Sequence, residues 1–180
     1  MALRKIVVEG DPVLKKKSRP VEKFDARLAE LLDDMKQTLY SAQGVGLAAV
    51  QVGVLRRVVV VDVGDGLLEL VNPEIIEAQG EQRENEGCLS LPGKYGETIR
   101  PAVVKVKAQN REGKWCIYKG EDLKARCFCH EIEHLDGHLF VEHTDHLMTE
   151  EELEEYMNRQ EEDEERGSCL WERRHLQCLR

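Results

Sequence analysis

The sequence lacks any long hydrophobic run. No stretch of its 180 residues approaches the ~20 consecutive apolar residues that a membrane-spanning helix requires. Met1–Arg4 leads directly into the apolar segment Ile6–Val8, which leaves no room for a signal or transit peptide. These absences predict a cytoplasmic protein that does not associate with membranes.

The cysteine pattern of a disulfide scaffold is also absent. The chain contains six cysteines, but Cys127 and Cys129 are too close together to be read as part of a disulfide framework. With 41% apolar residues, a chain of this length buries a core without disulfide support. We therefore expect one main domain with reduced thiols, of which one or more bind a metal ion.

A basic surface is missing as well. The formal net charge is −9, and most of it is local: Glu150–Glu165 contains ten acidic residues and the single base Arg159. Residues 1–149 are nearly balanced, with 24 acidic and 21 basic side chains. This composition gives no reason to expect direct nucleic-acid readout.

The periodicity predicts short strands and a few helices. A first helix begins at the N-cap candidate Asp25 and ends at Gly44, and a second, with Gly137 as its C-cap, spans Glu121–Asp136. Four β-rich runs form two hairpins: Arg57–Asp62, Gly66–Val71, Val103–Ala108 and Lys114–Tyr118. Because strands and helices do not alternate, we predict an α+β fold with short antiparallel sheets around a buried helix. We expect a catalytic domain at 1–148, an acidic C-terminal helix at 149–166 and a tail of unknown role at 167–180.

The buried helix contains an H-E-x-x-H motif, His130–His134. Residues at i and i+4 lie about one turn apart, so both imidazoles can reach one metal ion. Glu131 lies roughly 100° around the helix and can address a water molecule instead. The motif therefore indicates two metal ligands and a general base, although a solvated helix with ordinary i,i+4 contacts is the alternative.

A third ligand must come from elsewhere in the chain. The extended H-E-x-x-H-x-x-G-x-x-H pattern is broken at Phe140, which disfavours that class of zinc protease. Cys88 follows a polar stretch and precedes Leu91-Pro92-Gly93, and a thiolate beside two imidazoles would complete a catalytic site with one position left for water. Cys88 taken alone is equally well a small buried apolar residue. Other candidates stay open: Glu150–Glu155, His138, His143 and His146.

A glycine-rich segment, Gly44–Gln51, follows the first helix. Its glycines permit close approach of a ligand to the backbone. Gln51 carries an amide that can donate a hydrogen bond to a developing oxyanion. Taken alone, the segment is also typical of a tight turn leading into a strand.

Three blocks occur in a fixed order: G-V-G-L-A-A-V-Q (Gly44–Gln51), E-G-C-L-S (Glu86–Ser90) and H-E-I-E-H-L-D-G (His130–Gly137). Together they resemble the signature motifs of bacterial-type peptide deformylases, the shorter type I form in particular, and the resemblance extends from about Leu3 to about Met148. It implies a hydrolase in protein biosynthesis that removes the N-formyl group from the formyl-methionine of nascent chains, near the ribosome exit. It also implies one divalent metal ion, Fe²⁺ in cells, with Zn²⁺, Ni²⁺ or Co²⁺ as substitutes.

The resemblance also implies roles for individual residues. Cys88, His130 and His134 would bind the metal ion. Glu131 would carry the proton, and Gln51 and the backbone N–H of Leu89 would stabilise the oxyanion. Gly46 would contact the substrate backbone, and Glu86 and Arg100 would pair to brace the site. The methionine pocket would be lined by Val45, Leu123 and Cys127.

Some positions depart from the family pattern: Val50, Glu84, Arg126 and Cys129. They put the pocket shape in question, not the chemistry. A zinc endopeptidase is the nearest enzyme alternative, and it would need a cleft open on both sides of the scissile bond. A binding module with a structural metal site is the non-enzyme alternative, and it would need a fourth protein ligand such as Cys129 or His138.

Overall fold

The structure is a computed structural model, described for residues 2–160. A five-stranded sheet has the order β1-β2-β3-β6-β7, and a separate two-stranded sheet pairs β4 with β5. All of these pairings are antiparallel. The strands are β1 (Gly46–Ala48), β2 (Val58–Val61), β3 (Leu68–Gln79), β4 (Gln82–Cys88), β5 (Leu91–Arg100), β6 (Val103–Gln109) and β7 (Trp115–Glu121). The predicted α+β class, with antiparallel sheets around a helix, is confirmed.

Helix α1 (Ala26–Ser41) begins where the sequence predicted and ends earlier. The Asp25 side chain accepts hydrogen bonds from the backbone N–H groups of Arg27 and Leu28, at 3.1 and 3.2 Å. These bonds satisfy two amides that a helix start otherwise leaves without partners. The apolar residues that recur at helical spacing are buried: Leu28, Leu31, Leu32, Met35 and Leu39.

Strand β2 explains how the two helices are placed. All four of its valines are fully buried, which is typical of a strand covered on both faces. Val58 and Val60 pack against α1 on one face. On the other face, Val59 and Val61 pack in an apolar cluster with residues of the second long helix, α2 (Asp122–Asp136). The five-stranded sheet therefore lies between the two helices.

Helix α2 (Asp122–Asp136) carries the H-E-x-x-H motif and ends as predicted. Gly137 has φ = +85° and donates its N–H to the carbonyls of Glu133 and His134. A side chain is strained at this φ, and an added Cβ would also lie 2.6 Å from the Lys15 carbonyl oxygen. Glycine is therefore required where the helix ends.

The hairpin β4–β5 was not predicted from the sequence, which indicated only a loop or strand end at Cys88. Strand β3 is also longer than the predicted Gly66–Val71, because it continues through Asn72-Pro73 with register shifts to Gln79. Short 3₁₀ turns occur at Pro12–Lys15, Ala49–Val52 and Phe140–His143.

Residues 150–160 are helical, so the predicted C-terminal helix is present over this range. The remainder of the predicted helix (149–166) and the whole tail (167–180) lie outside the described residues. Among residues 2–160, none of the helices combines the length and the apolar character needed to cross a bilayer.

Candidate metal centre and active site

Helix α2 presents His130 and His134 from one face, and Cys88 at the end of β4 meets them. The two imidazole centroids are 4.9 Å apart. Cys88 Sγ lies 3.2 Å from His134 Nε2. One candidate ligand atom from each of the three residues lies within 4.8 Å of the other two. In the part of the chain that is described, this is the one such cluster of His, Cys, Asp or Glu side chains.

The donor set fits a divalent transition metal ion. One thiolate and two imidazoles suit Fe²⁺, Co²⁺, Ni²⁺ or Zn²⁺. The Nδ1 atom of His130 lies 3.0 Å from Glu86 Oε2, so Nε2 is the ring nitrogen that would be available to a metal ion. A carboxylate behind a ligating histidine is the usual arrangement, since it fixes the tautomer and orientation of the ring.

Glu131 is buried beside this cluster. Its side chain is 4% exposed, and its Oε2 atom has no hydrogen-bond partner among the described residues. Burial raises the pKa of Glu131 to about 7, while the charge of His130 acts in the opposite direction. A carboxylate with a pKa near the working pH is suited to receive a proton and release it again.

Gly46 in β1 brings the backbone close to Glu131. A Cβ at this position would lie 2.5 Å from Glu131 Oε1 and 2.6 Å from Cys127 Sγ. Any side chain would displace the carboxylate or the thiol. Glycine at position 46 is therefore required for packing against α2. The predicted contact of Gly46 with the substrate backbone stays a prediction.

The Gln51 side chain also lies next to Cys88. Its Oε1 atom accepts a hydrogen bond from the Ala48 N–H at 2.8 Å. Its Nε2 atom lies 3.2 Å from Ser90 Oγ and 3.5 Å from Cys88 Sγ. The amide nitrogen thus faces Ser90 and the cluster member Cys88, in an orientation compatible with donation of one N–H to an oxyanion. Leu89 lies in the two-residue turn between β4 and β5.

A buried ion-pair network supports the cluster from behind. The Glu86 carboxylate accepts hydrogen bonds from Thr98 at 2.8 Å, from Arg100 at 2.8 and 3.1 Å and from Arg126 at 3.1 Å. Burial acts to raise the pKa of Glu86, but the hydrogen bonds from His130 and Arg100 outweigh it and hold the pKa below its usual range. Glu86 therefore stays ionised while it orients His130.

Arg126, one of the departures from the family pattern, belongs to this network. Its Nη1 atom also lies 2.8 Å from Thr98 Oγ1 and 3.2 Å from the Glu84 carbonyl oxygen. The guanidinium is paired with Glu86, so the pocket beside it does not contain an isolated charge. Sequence patterns gave no signal for this contact, because 40 positions separate Arg126 from Glu86.

We predict that Glu86→Gln lowers the free energy of unfolding by about 3–5 kcal/mol, because two buried guanidinium groups lose a charged partner. Metal affinity should also fall roughly 10- to 100-fold, since His130 loses the carboxylate that orients it. Urea denaturation and metal titration measure the two effects. Glu84→Gln is the matched control, since Glu84 lies exposed on the same strand. Equal stability of the two variants would contradict a supporting role for Glu86.

A cavity of about 460 Å³ opens beside the cluster. It is lined by two members of the cluster, Cys88 and His130, and by the neighbouring Leu89 and Glu131. The four predicted substrate-binding residues also line it: Val45, Gly46, Leu123 and Cys127. Burial raises the pKa of Cys127 well above its usual value, so this thiol is neutral. The lining is therefore suited to an apolar side chain.

The other third-ligand candidates lie away from the cluster. His138 Nδ1 lies 2.8 Å from Glu142, and His143 Nε2 lies 3.1 Å from Glu133. Neither of these histidines nor Glu150–Glu155 belongs to the metal-ligand cluster. Cys129 is buried outside it as well, so no fourth protein ligand is found within residues 2–160.

Comparison with known proteins points to one family. A family model described as polypeptide deformylase matches residues 3–150. The chain is 58% identical to the peptide deformylase of Alkaliphilus metalliredigens over 142 residues. This alignment covers 79% of this chain and 97% of that protein. It is 55% identical over 159 residues to the peptide deformylase of Caldicellulosiruptor bescii, and this alignment covers 88% of this chain and 96% of that protein.

Solved structures agree with the sequence relatives. The crystal structure of peptide deformylase from Thermotoga maritima superposes with a TM-score of 0.78 at 42% identity, covering 80% of this chain and 99% of that one. Peptide deformylase from Synechococcus elongatus in complex with actinonin gives a TM-score of 0.77 at 36% identity, covering 87% and 85%.

Proposed function

Because the chain belongs to the polypeptide deformylase family, we propose a specific role for each residue of the site in that family's reaction. Peptide deformylases are metal-dependent enzymes that remove the formyl group from nascent peptides, and this chain is an enzyme of that type. One observation carries the assignment of roles: the donor atoms of Cys88, His130 and His134 lie within 4.8 Å of one another beside the buried Glu131.

Cys88, His130 and His134 are proposed to bind one divalent metal ion. When bound, such an ion supplies Lewis-acid chemistry, lowering the pKa of water and polarising a carbonyl group. We propose Fe²⁺ as the ion in cells, with Zn²⁺, Ni²⁺ and Co²⁺ as alternatives that the same ligands accept.

Glu131 is proposed to move the proton. Its carboxylate accepts a proton from the attacking water as a C–O bond forms at the formyl carbon. It then gives that proton to the amine as the formyl C–N bond breaks, which releases formate and a free N-terminal methionine. Glu131 is buried beside the cluster and its Oε2 atom has no partner among the described residues, which leaves a carboxylate oxygen available for both halves of this transfer.

Gln51 and Leu89 are proposed to stabilise the negative charge on the formyl oxygen. Leu89 directly follows Cys88 in the turn between β4 and β5, and the Gln51 Nε2 atom lies 3.5 Å from Cys88 Sγ. A preorganised hydrogen-bond donor acts mainly in the transition state. The methionine side chain is proposed to occupy the cavity between Val45, Leu123 and Cys127, with Gly46 against the substrate backbone.

Formate release tests the function directly. The purified enzyme should release formate from formyl-Met-Ala-Ser and should leave the internal bonds of an acetylated Met-containing peptide intact. Cleavage of those internal bonds would instead favour a zinc endopeptidase. No hydrolysis of either peptide by metal-loaded protein would favour a structural metal site.

Gln51→Ala should lower kcat by roughly 10²- to 10³-fold and leave KM within a few-fold, because the amide acts on the oxyanion more than on the bound substrate. Steady-state kinetics on formyl-Met-Ala-Ser, normalised to bound metal, measures the change. A rise in KM at constant kcat would place Gln51 in substrate binding and contradict the proposed role.

The remaining assignments concern the setting of the enzyme. We propose that residues 1–148 form the catalytic domain, followed by an acidic C-terminal helix at 149–166 and a tail of unknown role at 167–180. The proposed partners are formyl-Met nascent chains, with transient ribosome contact, in the cytoplasm. No membrane contact and no nucleic-acid readout are proposed.

A further inference from the structure

Ser90 lies between Gln51 and Cys88 and is fully buried. Its Oγ atom accepts a hydrogen bond from Gln51 Nε2 at 3.2 Å. Its backbone N–H donates to Cys88 Sγ at 3.4 Å, and its carbonyl oxygen accepts from the Glu9 N–H at 2.8 Å. The residue thus contacts both a proposed metal ligand and a proposed oxyanion donor.

The Gln51 amide is held at both ends. The Ala48 N–H is only a donor, so the amide atom 2.8 Å from it must be the oxygen. The nitrogen consequently faces Ser90 and Cys88. Rotation about the last side-chain bond of glutamine is intrinsically broad, so a single contact does not fix the plane of the amide. Two contacts, at Ala48 and at Ser90, do fix it.

We propose that Ser90 is a positioning residue for deformylation. Its hydroxyl accepts one N–H of Gln51 and thereby directs the other N–H toward the metal cluster, where the formyl oxygen is bound. This inference rests on the role proposed above for Gln51. It assigns Ser90 no contact with the substrate.

Cys88 makes the position of this hydroxyl important. Among the described residues, the Gln51 Nε2 atom has two neighbours within hydrogen-bond distance, Ser90 Oγ and the sulfur of Cys88 at 3.5 Å. Without the hydroxyl, one N–H of the buried amide loses its acceptor, which is costly, and the amide is held only through its oxygen at Ala48. An amide held at one end can reorient to seek a new acceptor, so its second N–H is no longer kept in the direction of the formyl oxygen.

The test is a double-mutant cycle between Ser90→Ala and Gln51→Ala. Ser90→Ala alone should lower kcat about tenfold. This loss is smaller than the roughly 10²- to 10³-fold that follows when an oxyanion donor is removed, because the donor is still present but less well positioned. KM should stay within about twofold, because the ground state uses the donor less. In the Gln51→Ala background, Ser90→Ala should change kcat less than about twofold, since the group that it positions is gone.

Ser18→Ala is the matched control. Ser18 is also a buried serine, and its Oγ atom has no hydrogen-bond partner in the described part of the chain. This variant should keep the wild-type kcat. All rates are expressed per metal-bound, folded enzyme, so a loss of stability or of metal does not imitate the expected effect.

A second test uses the wild-type enzyme, so its result does not depend on whether a variant folds. In the zinc-loaded protein, NMR should show slow solvent exchange of the Gln51 side-chain amide protons relative to those of Gln43. Gln43 is exposed and lines the same cavity, so it provides an internal reference. Equal exchange rates would contradict an amide held at both ends.

The outcomes separate this inference from the proposal on which it rests. A wild-type rate for Gln51→Ala would remove the role of Gln51, and that of Ser90 with it. A slow Gln51→Ala enzyme combined with an unaffected Ser90→Ala enzyme would overturn only the inference about Ser90. Equal effects of Ser90→Ala in both backgrounds would also overturn it, because they would indicate a role independent of Gln51.

Discussion

Glu131→Gln is expected to lower kcat by roughly 10³-fold while the protein keeps its metal ion. General acid–base catalysis contributes about 10²- to 10⁴-fold, and this single carboxylate would act in both proton transfers. Glutamine has nearly the same shape and cannot accept and release a proton. Because Glu131 lies outside the cluster of Cys88, His130 and His134, metal binding should be unchanged.

Formate release and metal analysis of the same sample test this prediction. Glu121→Gln is a suitable control, since Glu121 precedes the same helix and its side chain is 56% exposed. This control should keep wild-type turnover. Near-normal deformylation by the metal-loaded Glu131→Gln enzyme would show that Glu131 does not act as the proton carrier. Loss of the metal ion would contradict its placement outside the ligand set.

Cys88→Ala is expected to abolish activity through loss of the metal ion. Disturbing a residue behind a ligand typically costs 10- to 100-fold in metal affinity, so removing a ligand should cost more than about 100-fold. Only two protein donors, His130 and His134, would remain. The affinity follows from titration of the metal-free protein, and the activity from formate release at saturating metal.

Cys129→Ala is the informative control for this experiment. Cys129 is also buried, and it was the candidate fourth ligand of a structural metal site. Metal affinity close to that of the wild type is expected, because Cys129 does not belong to the cluster. A large loss of affinity in Cys129→Ala, or none in Cys88→Ala, would contradict the proposed ligand set.

The elements that the sequence predicted well have local signals. Asp25 and Gly137 mark helix ends by contacts within a few residues, and the spacing of Leu28 to Leu39 defines one helical face. The H-E-x-x-H motif is equally local, since His130 and His134 are one turn apart on α2. Such patterns are readable because the residues involved are neighbours in sequence.

The β4–β5 hairpin was missed because long-range polar contacts support it. Strand β4, Gln82–Cys88, contains no run of alternating apolar residues. Its buried side chain is Glu86, which is stabilised by Arg100 from β5 and by Arg126 and His130 from α2. Periodicity detects apolar burial and does not detect a strand held by ion pairs.

In the candidate site too, some features were predicted from the sequence and others were not. Residue chemistry alone left the third ligand open, and the family resemblance indicated Cys88, which is 46 positions from His134 in sequence. Ser90 was visible as part of the E-G-C-L-S block, but its contact with Gln51 depends on a turn geometry that composition does not encode. The anchoring of Gln51 by the Ala48 N–H is likewise a backbone contact without a sequence signal.

X-ray absorption spectroscopy of the metal-loaded enzyme tests the central claim most directly. For the zinc form, the account predicts one sulfur neighbour at about 2.3 Å and two imidazole nitrogens at about 2.0–2.1 Å, with one further light atom from solvent. The sulfur contribution should disappear in Cys88→Ala. A spectrum without sulfur, or one with four protein ligands, would contradict an open site formed by Cys88, His130 and His134.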